Sequence, residues 1–130
     1  MNRTAIQQAS IAAEAINGLN QRTLAALNGS ADADLKRSKD AYEVIISLKL
    51  LAQRLTLASQ EADKLVRGWH DEGHLRTAPA VSTDTTVTEF SEAMAKADRA
   101  ALDLFIAYEE AGKALARVGW QEPASQGSQA

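Results

Sequence analysis

The feature that most constrains this chain is an apolar rhythm close to its C-terminal end. Steps of three and four residues from Phe90 meet Met94, Ala97, Ala101, Leu104, Tyr108, Ala111, Leu115 and Val118 without one charge. A run of about four heptads at this period fits a helix and not a strand, so residues 86–118 are predicted helical. The same rhythm passes through Ala41, Ile45, Leu48, Ala52, Leu55, Ser59, Ala62 and Val66. Val44, Leu51, Ala58 and Leu65 widen it on one flank, and residues 31–67 are predicted to be the core helix. A third and weaker seam, Ile6, Ala9, Ala13, Ile16, Asn20, Thr23 and Leu27, predicts a helix over 4–28. Its small side chains bury little area, and Gly18 inside it costs about 1 kcal/mol relative to Ala.

Glycine and proline interrupt the chain at Asn28-Gly29, from Gly68 to Pro79, and from Gly119 onward. The chain has 130 residues, 45% of them apolar and 5% aromatic, with two prolines. That length suits one domain, and that composition favours helix over a β-sandwich or barrel. The expectation is an all-α antiparallel bundle of three helices, two long and one shorter N-terminal, forming a single domain over 1–120. Residues 121–130 are polar and small and are expected to be a flexible tail. The segment from Gly68 to Thr85 could span a long helix only if almost fully extended, so helices two and three should run antiparallel on either side of a long loop.

End signals support this segmentation. Thr86-Val87-Thr88-Glu89 has capping-box spacing, and Ser30 or Asp32 could cap the second helix. Lys64 and Arg67 precede Gly68, and Lys113 and Arg117 precede Gly119, so each glycine is expected to be the left-handed residue that closes a helix. Trp69 and Trp120 would then follow as apolar residues packing back onto the last turn, with binding anchors as the alternative.

Charge narrows the function. Lys and Arg total 14 against 17 for Asp and Glu, a net charge of -3, which lacks the basic footprint of a nucleic-acid binder. With no cysteine, thiolate catalysis and disulfides are excluded. The first residues lack the apolar stretch of a signal peptide, and no window approaches a membrane span, so no membrane contact and a cytoplasmic location are expected. Gly-x-Ser-x-Gly, Walker and dinucleotide motifs are absent, so the chain is read as not an enzyme and no cofactor is expected.

The one cluster with chemical potential is His70-Asp71-Glu72-Gly73-His74. Two histidines four apart with an acid could bind zinc or iron if helical. Gly73 opposes that helix, and the order differs from His-Glu-x-x-His, so His70, Asp71, Glu72 and His74 remain an alternative behind a solvated turn.

The backs of the long helices are more informative. At 100° per residue, Ile46, Leu50 and Leu57 lie about 160–180° from the Leu48 and Leu55 direction. On the third helix, Leu102 and Ile106 oppose Leu104, with Phe105 between. A second apolar surface is therefore expected, made by Ile46, Leu50, Leu57, Leu102, Phe105 and Ile106, with Trp120 as a further candidate. The function this implies is a helical interaction protein, either self-associating, most simply as a homodimer, or binding another protein.

Two long helices around a turn containing Trp and Gly also resemble the small helical-hairpin proteins exported by type VII secretion. The turn reads Trp69-His70-Asp71-Glu72-Gly73 where that family has Trp-x-Gly, and Gly112 stands four residues after Tyr108 where the family's export signal has an acid. The resemblance implies a secreted helical partner protein as another alternative.

Overall fold

The computed structural model describes residues 2–123, which form three helices and no strand. These are α1 (Ala5–Leu27), α2 (Ser38–Asp71) and α3 (Thr83–Ala116). Residues 124–130 of the expected tail lie outside the described residues. No described helix is long and apolar enough to cross a membrane. Contacts group the described residues into two units, one holding α1 and the segment up to Ala41 together with Trp120 to Pro123, the other running from Tyr42 to Gly119.

In the first unit, α1 is defined at both ends by its own backbone. Thr4 and Gln7 form a reciprocal capping box: the Thr4 Oγ1 accepts from the Gln7 amide at 3.1 Å, and Gln7 Oε1 accepts from the Thr4 amide at 2.8 Å. At the other end Gly29 adopts φ +70°, with the Ser30 amide donating to the Ala25 carbonyl and the Gly29 amide to Ala26. That pair of bonds is a Schellman closure, as the Asn28-Gly29 signal predicts. No residue of α1 is buried; Ile6 is 83% and Leu27 78% exposed.

In the second unit α2 and α3 pack closely. A Cβ added to Gly112 would meet Ile46 Cδ1 at 3.5 Å and Ile45 Cγ2 at 3.8 Å. Further along, the Lys49 ammonium stands 5.7 Å from the centre of the Phe105 ring. Gln60 then donates to Asp98 at 3.1 Å, Ser91 donates to Asp63 at 2.6 Å, and His70 meets Asp84 at 2.7 Å. Numbers that rise along α2 fall along α3.

The contact line keeps the small residues of the predicted seams, Ala52 and Ala101, and leaves out their leucines. Ala52, at 1% exposure, and the buried Ala101 and Gly112 occupy it, while Leu55 and Leu104 are 43% and 41% exposed. Small side chains at the line let the two backbones approach, and the leucines are displaced to the flanks. Phe105 rather than Leu104 lies closer to the partner helix, a shift of one residue in the expected register.

Four predicted ends are corrected. The second helix continues through Gly68 and Trp69 and closes at Gly73, which takes φ +81°; the His74 amide donates to the Trp69 carbonyl and the Gly73 amide to His70. A helical glycine costs only propensity, so Gly68 is a weak stop; Gly73 is the residue with the left-handed backbone. The connection therefore spans residues 72–82 instead of 68–85. The third helix begins at Thr83, because the Ser82 Oγ accepts from the Thr85 amide at 3.2 Å and caps it before Thr86 can. Its last turn closes at Arg117 with φ -84°, through 3₁₀-like bonds from Arg117 to Ala114 and from Val118 to Leu115, so Gly119 is not a left-handed cap. The second helix begins at Ser38, later than Ser30 or Asp32 would place it; there the Asp40 carboxylate accepts from the amides of Lys36 at 2.9 Å and Arg37 at 3.1 Å.

Candidate partner-binding face

Helix periodicity and the α2–α3 contacts together locate the expected apolar surface. Taking Ala52 and Ala101 as the directions of mutual contact, Ile46, Leu50 and Leu57 lie about 120–160° to one side of α2, and Leu102 and Ile106 about 100–140° to one side of α3. Because the contacts run in opposite order on the two helices, these rotations lead to the same side of the pair. Lys49, Phe105, Gln60 and Asp98, which touch across the seam, lie on that side as well.

Six of the seven residues expected to bind a partner lie on α2 and α3. Leu50 is 39% exposed, Leu57 56%, Leu102 50% and Ile106 46%, while Ile46 and Phe105 are half-buried between the helices. Leu50 stands level with Ile106 and Leu57 close to Leu102, each on the outer flank of its own helix. The seventh residue, Trp120, belongs to the other unit, where it is 49% exposed and its indole N–H donates to Glu122 at 3.0 Å.

Toward the 72–82 connection the same side turns polar. An open groove of about 540 Å³ is lined by Arg67, His70, Asp84, Val87, Ser91 and Glu92, among others. The Asp63 carboxylate is held below its ordinary pKa, first by the hydrogen bond from Ser91 and then by Arg67 at 2.9 Å, against an opposing desolvation. Asp40 is likewise lowered, chiefly by the backbone amides of Lys36 and Arg37. The Ser91 hydroxyl is engaged by the Asp63 carboxylate, which links α3 to α2 at the edge of the groove.

The histidine cluster is divided. His70 lies on α2 and engages Asp84 across the connection, whereas His74 follows the cap and engages Glu72 at 3.2 Å. Among the described residues no three His, Cys, Asp or Glu side chains stand together as a metal would require. Trp69 remains inside α2 and is 43% exposed, so it does not fold back after a closing glycine.

Two features were not read from the sequence. Thr4-x-x-Gln7 carries a capping-box signal that the spacing alone displays. Ala52 and Ala101 stand on the predicted seams, but Gly112 does not, and nothing in the sequence singles these small residues out as the closest contacts, because alanine is abundant throughout the helices. No known protein family matches the chain, and comparison with curated proteins and with solved structures finds no similar one.

Proposed function

We propose that this protein is a non-enzymatic helical interaction module, an antiparallel helical bundle that binds protein through apolar helix faces. Self-association is its simplest form, and Ile46, Leu50, Leu57, Leu102, Phe105 and Ile106 are the face offered to a partner. The observation that carries this reading is the exposure of Leu50, Leu57, Leu102 and Ile106 on one side of a packed helix pair. Removing the remaining exposed area of each from water is worth roughly 1–2 kcal/mol, which favours association over solvation. The i,i+4 pairs Arg67–Asp63 and Lys113–Glu109 supply the solvated remainder of the surface.

The test is the mass in solution by light scattering across a concentration series. A mass that rises toward an oligomer supports self-association, and a monomer at every concentration removes that form of the proposal. Leu50→Asp then sorts the faces: dissociation assigns the oligomer to the Leu50 face, while an unchanged oligomer leaves that face for a different protein.

A further inference from the structure

The opposite side of the α2–α3 pair carries a longer uncharged surface than the face just described. On α2, rotating about 40–100° away from Ala52 in the other sense meets Val44, Leu48, Leu51, Leu55 and Trp69, with Leu65 farther out at about 140°. The two remaining stops in that row are Ala58 and Ala62. On α3, rotating about 20–140° from Ala101 in the corresponding sense meets Phe90 and Leu104 among Ala93, Ala97, Ala100, Ala107, Ala111 and Ala114, with Val118 just past the helix end. Leu55, Leu65, Trp69, Leu104 and Val118 are each 41–55% exposed.

Past Ala41, charges return only at the outer edge of this face, and the edge repeats at heptad spacing. On α2 it reads Ser47, Arg54, Glu61 and Gly68; on α3 it reads Glu89, Lys96, Asp103 and Glu110. The six charged side chains among these are all exposed, and none makes an ion pair with another described residue. The contacts of Lys49 with Phe105 and of Gln60 with Asp98 fix which residues share a level. By that register Arg54 is level with Asp103 and Glu61 with Lys96, two opposite pairs of reversed polarity in the middle of the face. At its ends Ser47 is level with Glu110 and Gly68 with Glu89, so no level sets like charges together.

We infer that this uncharged face binds a second copy of the chain about a twofold axis parallel to the helices. Such an axis keeps levels and sets α2 of one protomer against α3 of its partner. Arg54 and Glu61 then meet the complementary Asp103 and Lys96 edge of the other protomer, an arrangement familiar from flanking charges in coiled coils. The leucine-rich row of α2 also falls against the alanine-rich row of α3, filling a shallow row with a bulky one. A twofold axis that set α2 against α2 would stack leucines on leucines and alanines on alanines. Two helices roughly 8–10 Å apart and about 40 Å long offer roughly 800 Å² to one side, which is each partner's share in a standard stable dimer. This rests on the reading that the chain self-associates, moves the dimer away from Leu50, and leaves the Leu50 face for another protein.

Charge exchange tests it in the full chain, with helicity followed by circular dichroism. Arg54→Glu should weaken the dimer roughly tenfold, since the two equivalent edges both lose attraction, and Arg54→Glu combined with Asp103→Arg should restore it. Leu104→Asp should abolish the dimer, while Leu50→Asp should leave it intact. The absence of cysteine allows a direct map: oxidised mixtures of Arg54→Cys and Asp103→Cys chains should cross-link to each other. Cross-linking of Arg54→Cys chains among themselves instead would overturn the proposed axis. A dimer broken by Leu50→Asp and not by Leu104→Asp overturns the choice of face but keeps the interaction module. A monomer at all concentrations means that the chain covers this face itself, and overturns the inference.

Discussion

The two parts of this molecule become helical for different reasons. In α1 every structural signal is local: a reciprocal Thr4–Gln7 box opens it, Gly29 closes it, and no side chain between them is buried. In the α2–α3 pair the signals are between helices, with Ala52, Ala101 and Gly112 along the contact line and Gln60–Asp98, Asp63–Ser91 and His70–Asp84 tying it together. Most helix stability in proteins comes from packing an apolar face, so caps alone stabilise α1 weakly, whereas the pair gains from burial as well. The comparison teaches that an apolar period identifies a helix without saying whether its stripe is packed.

Overpacking separates the two parts most sharply. Ala52 has 1% exposure, so Ala52→Leu must push α2 and α3 apart and should destabilise the protein by about 1–3 kcal/mol. Ala13→Leu on the exposed surface of α1 should change stability by less than about 0.5 kcal/mol. Denaturant midpoints of the two variants check the contrast, and equal losses would mean that α1 is packed as tightly as the pair.

The closing glycines give the next effect. Gly73 and Gly29 occupy left-handed backbone, where an alanine costs roughly 1–2 kcal/mol. Neither position has a neighbour within 4 Å of an added Cβ, so the cost is conformational and not steric. Gly73→Ala should lower the melting temperature of the α2–α3 transition, while Gly29→Ala should show only as faster exchange of the amides of residue 29 and Ser30, which donate to Ala26 and Ala25.

How much was legible follows from the same division. Local chemistry was visible: all three helices and the Asn28-Gly29 closure follow from period and turn residues. What failed depended on competition between signals. Gly68 reads as a stop, but Gly73 lies five residues later and supplies the left-handed backbone, so the helix propagates through Gly68 and Trp69. Thr86 has a capping box, but Ser82 intercepts the helix one turn earlier. The register of α2 against α3 was hidden because it is chosen by the closest backbone approach. Ala52 and Gly112 decide that approach, and neither differs in the sequence from the surrounding small residues.

Two smaller changes sharpen the local character of α1. Thr4→Ala removes one half of the capping box and should cost about 1 kcal/mol of helix stability. Gly18 sits in open space inside α1, so Gly18→Ala should return about 1 kcal/mol. Amide exchange across residues 5–27 should rise with the first and fall with the second, leaving α2 and α3 unaltered. Transmission of either effect to the Asp63–Ser91 region would mean that the ends of α1 do not act locally.

The smallest expected effect is a difference in acid response. Asp63 in the helix pair and Asp40 at the start of α2 both have pKa values below the ordinary 3.8, one held mainly by a side-chain hydroxyl and the other by backbone amides. A carboxylate with a lowered folded pKa adds stability that is complete above its unfolded value and is lost as pH falls through the folded one. Both contributions should therefore hold at neutral pH and fade below about pH 4. Ser91→Ala removes the larger cause at Asp63 and leaves Asp40 untouched, so stability should drop slightly at pH 7 and its decline on acidification should become shallower. Carboxylate titrations by NMR should then show Asp63 moving up toward its ordinary value with Asp40 unmoved; an unmoved Asp63 would mean that Arg67, and not the link to α3, holds that charge.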